Sequence, residues 1–147
     1  MNELRFDVKD IDVVINTHLH FNHTANNILF KHAKIYASPN ECLEKCKDYL
    51  LFYDRYAKFT FNPIKEFEDD EIDILNTPGH TWGSISVIYR DYIVVGDTIP
   101  FKDDAIRGEI EKCVDRRYAK SSIKRIKALK KNIVTGHDGI IYADELS

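Results

Sequence analysis

Four apolar, strand-like runs in this chain each stop at a histidine or an aspartate, and no other feature constrains the fold as tightly. "IDVVIN" (11–16) leads straight into His18 and His20. "EIDILNT" (71–77) leads through Pro78 and Gly79 to His80. "YIVVGD" (92–97) closes on Asp97, and "NIVTGHD" (132–138) closes on His137 and Asp138. Short runs rich in β-branched residues, bounded by Gly, Pro, Thr or Asn, read as buried strands. In a layered α/β domain, strand exits of this kind converge on one edge of a sheet.

The remaining elements fit such a domain. Residues 23–31 read as a short helix and "KIYAS" (34–38) as a strand. Ser38-Pro39-Asn40-Glu41 then supplies an N-cap with proline at the first helical position, predicting a helix from Pro39 to about Lys58. Its aromatics Tyr49, Phe52, Tyr53 and Tyr56 fall on one face at helical spacing. That face is read as core, with a pocket wall or a self-association surface as alternatives. "IKEFE" (64–68) reads as a strand, and "SISVIYR" (84–90) with "YIVVGD" as a hairpin turning near Asp91. A helix is expected after Asp103-Asp104, and an amphipathic helix over 121–131 with Ile123, Ile126 and Leu129 on its buried edge. The order of elements is that of a single mixed α/β domain over residues 1–147.

Five of the six histidines, His18, His20, His23, His80 and His137, sit at strand ends or tight turns. A lone histidine is usually a satisfied structural residue. Five so placed, with Asp97, form a donor set suited to Zn²⁺ or a similar first-row ion, because neutral imidazole and carboxylate are the ligands such ions prefer. His32, in "FKHAK", lies off the pattern and is expected at the surface. Asp138 is a candidate acceptor orienting His137. Trp82 is read as either pocket wall or core.

His18-x-His20-x-Asn22-His23, followed by "TPGHTWGS" with His80, "GDT" with Asp97 and "TGHD" with His137, resembles the metallo-β-lactamase superfamily. The wording looks most like its small-molecule hydrolase branch, such as lactonases and glyoxalase II. The resemblance covers the chain from about residue 11 onward. It implies a four-layer αββα sandwich, with His18, His20 and His80 holding a first metal, His23 and His137 a second, and Asp97 bridging both. It further implies attack on a small ester, lactone or thioester by a metal-bound hydroxide. Zinc is the expected ion, with iron or manganese as alternatives.

Two departures from the family pattern carry expectations of their own. Asn22 stands where the family has an aspartate that binds the second metal and manages protons. An amide brings no charge and cannot shuttle a proton, so the expected centre is mononuclear or unequally loaded, with Asp97 and Asn22 the positions that decide catalysis. Second, only 17 residues precede His18, where the family fold places several more strands, on the order of 50 residues. The expected fold is therefore an αββα sandwich lacking the first strands of its N-terminal half. Its exposed edge would be covered by homo-oligomerisation, for instance through the Tyr49–Tyr56 face, or by a second chain, or the sequence is a fragment.

Composition narrows the field. Three cysteines, Cys42, Cys46 and Cys113, without a C-x-x-C pair argue for reduced thiols in a cytoplasmic protein. No apolar run is long enough to span a membrane, and the charged N-terminal stretch is not a secretory signal. Residues 112–131 carry nine Lys or Arg and one acid, but the net charge is −3. The basic stretch is read as a solvated helix face, and a nuclease as a weaker alternative than a small-molecule hydrolase. A catalytically degenerate metal-binding or partner-completed protein is the other alternative, motivated by Asn22.

Overall fold

The structure, a computed structural model, describes residues 7–42 and 61–146. These fall in two compact units, one up to Phe67 and one from Glu68.

The first unit holds a three-stranded parallel sheet in the order β1 (Val13–Ile15), β2 (Lys34–Ala37), β3 (Asn62–Pro63). Because β1 and β2 run the same way, both exit at the same edge. The bond from Asn16 N–H to Tyr36 O, 2.9 Å, carries the pairing one residue past β1. Helix α1 (Phe21–Thr24) follows, and a 3-10 helix over Ala25–Leu29 continues it. The helix expected over 23–31 thus starts two residues earlier, and only its first four residues, Phe21–Thr24, are α-helical. The run read as a fully buried strand is only three residues long, and Val13 is 42% exposed. The strand expected at 64–68 is instead a 3-10 turn over Ile64–Glu66, packed through buried Ile64. Tyr36 and Phe67 stack edge to face, 5.3 Å between centroids. Of the helix predicted from Pro39, a 3-10 turn over Pro39–Cys42 is seen; its remainder, with the Tyr49–Tyr56 face, lies outside the described residues.

The second unit is a five-stranded sheet in the order β4 (Ile72–Asn76), β5 (Ile85–Tyr89), β6 (Tyr92–Gly96), β7 (Asn132–Thr135), β8 (Ile140–Ile141). β5 is antiparallel to both β4 and β6, and β6 is parallel to β7. Hence β4, β6 and β7 all point the same way and end at one edge. The hairpin expected at 84–97 is present, turning through Arg90 at φ 52°. The β6–β7 register shifts between Val94 and Gly96, a bulge immediately before Asp97.

Helix α2 (Lys102–Arg107) stops at Gly108, and helix α3 spans Arg116–Ala128. Asp115 starts α3, its carboxylate accepting from the N–H groups of Arg117 (2.8 Å) and Tyr118 (3.1 Å), which the helix cannot otherwise satisfy. Ala119, Ser122, Ile123 and Ile126 form its buried face, against Ile93, Val95, Ile99, Ile133 and Ile141 of the sheet and its exits. Each isoleucine so buried contributes ~1.5–3 kcal/mol relative to exposure. Leu129, expected on that edge, is exposed because the helix has ended. Among the described residues no helix is long and apolar enough to cross a membrane.

Candidate metal centre

In the first unit, β1 runs out into a short non-helical segment, and His18 and His20 face one another within it. Nε2 of His18 lies 3.1 Å from Nδ1 of His20, and the rings meet edge to face at 4.7 Å. The first turn of α1 folds the chain back: His23 N–H donates to His20 O (3.0 Å), and the Thr24 hydroxyl donates to the same oxygen (3.2 Å). That turn brings the His23 ring to 4.3 Å from the His18 ring. His18 is 1% exposed, and Thr17 Oγ1 lies 3.3 Å from its Nδ1.

Two buried braces hold this segment. Asn16 and Asn27 exchange reciprocal amide bonds of 2.8 and 3.3 Å, tying the end of β1 to the 3-10 helix after α1. The Glu41 carboxylate accepts the Leu19 N–H at 2.9 Å, between the two histidines.

In the second unit, the three co-directional strands deliver His80, Asp97 and His137 to one edge. Asp97 sits between the two imidazoles: its Oδ2 is 3.4 Å from His80 Nε2 and its Oδ1 3.0 Å from His137 Nε2. His80 Nδ1 lies 2.8 Å from the Lys112 carbonyl oxygen. A carbonyl can only accept, so Nδ1 donates to it, and Nε2 is the ring atom left to face Asp97. A bond of this kind on the far nitrogen is what orients a metal-ligating histidine.

The backbone around these groups is crowded. At Gly136 a Cβ would strike Asp97 Oδ1 and come within 3.0 Å of Gly96 O. At Gly79, with φ +142°, a Cβ would fall 2.7 Å from Ala119 Cβ, on the first turn of α3. Helix α3 and the residues leading into it grip the same loop, since Val114 N–H donates to Gly79 O (2.8 Å) and Ser122 Oγ to Pro78 O (2.8 Å). A buried hydroxyl net joins the strand exits: Thr77 Oγ1 lies 3.0 Å from Ser86 Oγ, and Thr98 Oγ1 donates to Thr77 Oγ1 at 3.0 Å.

The donor chemistry fits a first-row ion. Each unit gathers imidazole nitrogens, joined in the second by a carboxylate, and the candidate ligand atoms stand 3.0–3.4 Å apart. In the second unit the Nε2 atoms of His80 and His137 converge on the two oxygens of the Asp97 carboxylate, a donor set of the kind a cation would draw together.

A family model described as the metallo-beta-lactamase superfamily matches residues 1–137. The chain belongs to this superfamily. Among curated relatives, a protein named a probable metallo-hydrolase from Methanocaldococcus jannaschii is 48% identical over 147 residues, covering 99% of this chain and 66% of its own length. A second protein of that name and organism is 36% identical over 115 residues, covering 67% of this chain and 55% of its own. A crystal structure of a B. thuringiensis AiiA variant with N-decanoyl-L-homoserine bound at the active site superposes with a TM-score of 0.71 at 25% identity, covering 90% of this chain and 58% of the other. A protein solved in a di-iron-bound form shares the fold at TM-score 0.70 and 18% identity, covering 90% of this chain and 73% of the other. The chain thus spans less than two thirds of the curated relatives' length and of the AiiA chain.

Within this superfamily member, the first unit assembles His18, His20 and His23, and the second assembles His80, Asp97 and His137. Asn22 lies on α1 and is exposed, as is His32 in a turn. The Asp138 carboxylate, expected to orient His137, accepts instead from the Lys102 N–H at the start of α2 (3.2 Å). Trp82 is half-buried and meets Tyr118 edge to face at 5.8 Å. Sequence reasoning missed Glu41, the Asn16–Asn27 pair and the Lys112 carbonyl. Only Glu41 left a trace in the sequence, as an acid directly after a strand exit.

Proposed function

We propose that this chain is a metal-dependent hydrolase of a small ester, lactone or thioester. In this reading the histidines of the first unit and the His80–Asp97–His137 set of the second serve one metal centre. The observation that carries it is Asp97, held between the Nε2 atoms of His80 and His137. The name of the M. jannaschii relatives and the N-decanoyl-L-homoserine bound at the active site of the AiiA variant support the reaction class. His18, His20 and His80 would hold the first ion, His23 and His137 a second, with Asp97 common to both. Zinc fits the donors, and iron or manganese would fit them too.

When bound, the ion would polarise the substrate carbonyl and lower the pKa of a water from near 16 toward ~7. The chain's own part is orientation. The Lys112 carbonyl fixes the His80 tautomer, Gly136 admits Asp97 against the backbone, and Leu19 and Thr24 anchor the histidine segment. Asn22 can neither add negative charge nor carry a proton away, so the second ion is expected to bind more weakly than the first. The basic stretch does not favour a nucleic-acid substrate. Arg125 donates to Asn76 O (3.0 Å), Lys127 to Ala105 O (3.1 Å), and Lys120 pairs with Glu109 (2.8 Å), contacts that give those cations a structural use.

The test is metal analysis beside turnover of an ester and lactone panel. Protein purified without added zinc is expected to hold one tight ion per chain, and Asn22→Asp to hold closer to two. Turnover is expected to vanish in His20→Ala and with chelator. Two tight ions in the unaltered chain would refute the unequal loading. Hydrolysis indifferent to chelator would refute the metal-dependent reading, and absence of turnover with a loaded centre would favour a catalytically degenerate metal protein.

A further inference from the structure

Glu41 lies outside the histidine and aspartate motifs, and its position is unusual for its type. It is 7% exposed, whereas an ionised glutamate is seldom buried without a use. Its placement follows from the topology of the first unit. β1 and β2 are parallel, so the residues leaving β2 arrive beside those leaving β1. The chain turns at once after β2: Asn40 N–H donates to Ser38 Oγ (3.3 Å) and Glu41 N–H to Ser38 O (3.1 Å). That tight turn returns the Glu41 side chain to the histidine segment, where Oε2 accepts the Leu19 N–H at 2.9 Å.

Leu19 is the residue between His18 and His20. Its side chain is buried, and its peptide N–H points at the carboxylate. A charge-assisted bond to one backbone N–H fixes the peptide plane from which both imidazoles project. A peptide rotation there would separate Nε2 of His18 from Nδ1 of His20, now 3.1 Å apart. The same carboxylate sets a fixed negative charge behind imidazoles that would face a cation.

We infer that Glu41 is a positioning residue for the metal centre, acting through the Leu19 N–H to hold His18 and His20 in ligating geometry. The inference rests on the metal-centre reading above. Its role combines an acceptor and a charge, which separates it from a plain loop brace. An amide at position 41 still accepts from Leu19 but carries no charge, and alanine does neither.

The test is cobalt(II) titration of the unaltered chain, Glu41→Gln and Glu41→Ala, read by d–d absorption and by chelator competition. Folding is checked in the metal-free state by circular dichroism. Glu41→Ala is expected to weaken cobalt binding ~10–100-fold, the usual cost of losing a partner that orients ligands, with Glu41→Gln falling between it and the unaltered chain. In metal-free protein the Leu19 amide proton is expected downfield in the NMR spectrum, and to move upfield in Glu41→Gln, a readout that survives if Glu41→Ala does not fold. Equal cobalt affinity in the unaltered chain and Glu41→Gln, or a Leu19 amide unmoved by the substitution, would overturn the inference while leaving the metal centre standing. No cobalt binding by the unaltered chain would instead overturn the metal-centre reading itself.

Discussion

Two glycines set the tolerances of the second unit. Gly136 lets Asp97 lie against the backbone that leaves β7, and Gly79 lets the His80 loop press onto the first turn of α3. An added methyl has no space at either position, and overpacking of this kind typically costs ~1–3 kcal/mol. Gly79→Ala carries the further strain of φ +142°. Both alanine variants are therefore expected to lower the urea midpoint, Gly79→Ala more than Gly136→Ala. Gly136→Ala is expected to lose metal affinity out of proportion to stability, because the displaced atom is an oxygen of Asp97, the proposed shared ligand. Equal metal affinity in the two variants would contradict that distinction. At this scale the histidines and Asp97 were legible, since chemistry restricts which residue types ligate metal. The hydrogen bonds that orient them were not. The Lys112 partner of His80 is a backbone carbonyl, which every residue possesses, and Glu41 reaches Leu19 only through a turn that the sequence reads as a helix start.

Among the elements, α3 joins the sheet to the His80 loop, and Asp115 starts it. The bond from the Tyr118 N–H holds the Asp115 carboxyl below its ordinary value, with partial burial opposing and Arg117 adding to the effect. A carboxyl lowered on folding contributes stability above its unfolded pKa, about 3.9, and loses it as pH falls through the lower folded value. Asn can cap the helix without titrating. The stability advantage of the unaltered chain over Asp115→Asn, measured by urea melts, is thus expected to be full near neutrality and to shrink below about pH 4. An advantage constant down to pH 2 would mean that the cap's charge plays no part. Strands were easier to foresee than helices in this chain. β4 through β7 announce themselves by β-branched runs between breakers, whereas α1 has no Ser, Thr, Asp or Asn at its N-cap, which is His20. β8 is two residues long and carries too little pattern to detect.

Taken whole, the described parts of the molecule are unequal. The second unit has a contiguous isoleucine-rich core, while the first buries Leu19, Ile35, Tyr36, Ala37 and Ile64 among its described residues. Local opening free energy follows such differences in apolar packing. In metal-free protein, amide hydrogens of β5, β6 and β7 are expected to exchange more slowly than those of β1 and β2. If both histidine sets serve one centre, added zinc should slow exchange in both units by linkage. Slowing confined to the second unit would indicate an ion held by His80, Asp97 and His137 alone.

The shared direction of β4, β6 and β7 also divides the larger sheet into an end that bears the candidate metal donors and an end that bears none of them. Every donor of the second unit leaves from the first, while the Arg90–Asp91 turn and the Lys130–Lys131 approach to β7 occupy the second, tied to each other by Lys131 Nζ on Arg90 O (2.6 Å) and Asn132 N–H on Asp91 O (2.8 Å). The full length of the strands separates the two ends. Loop exchange, peptide insertion or relocated termini at the second end would therefore leave the donors where they are, so that end is the place to attach a reporter or a tether without disturbing the chemistry.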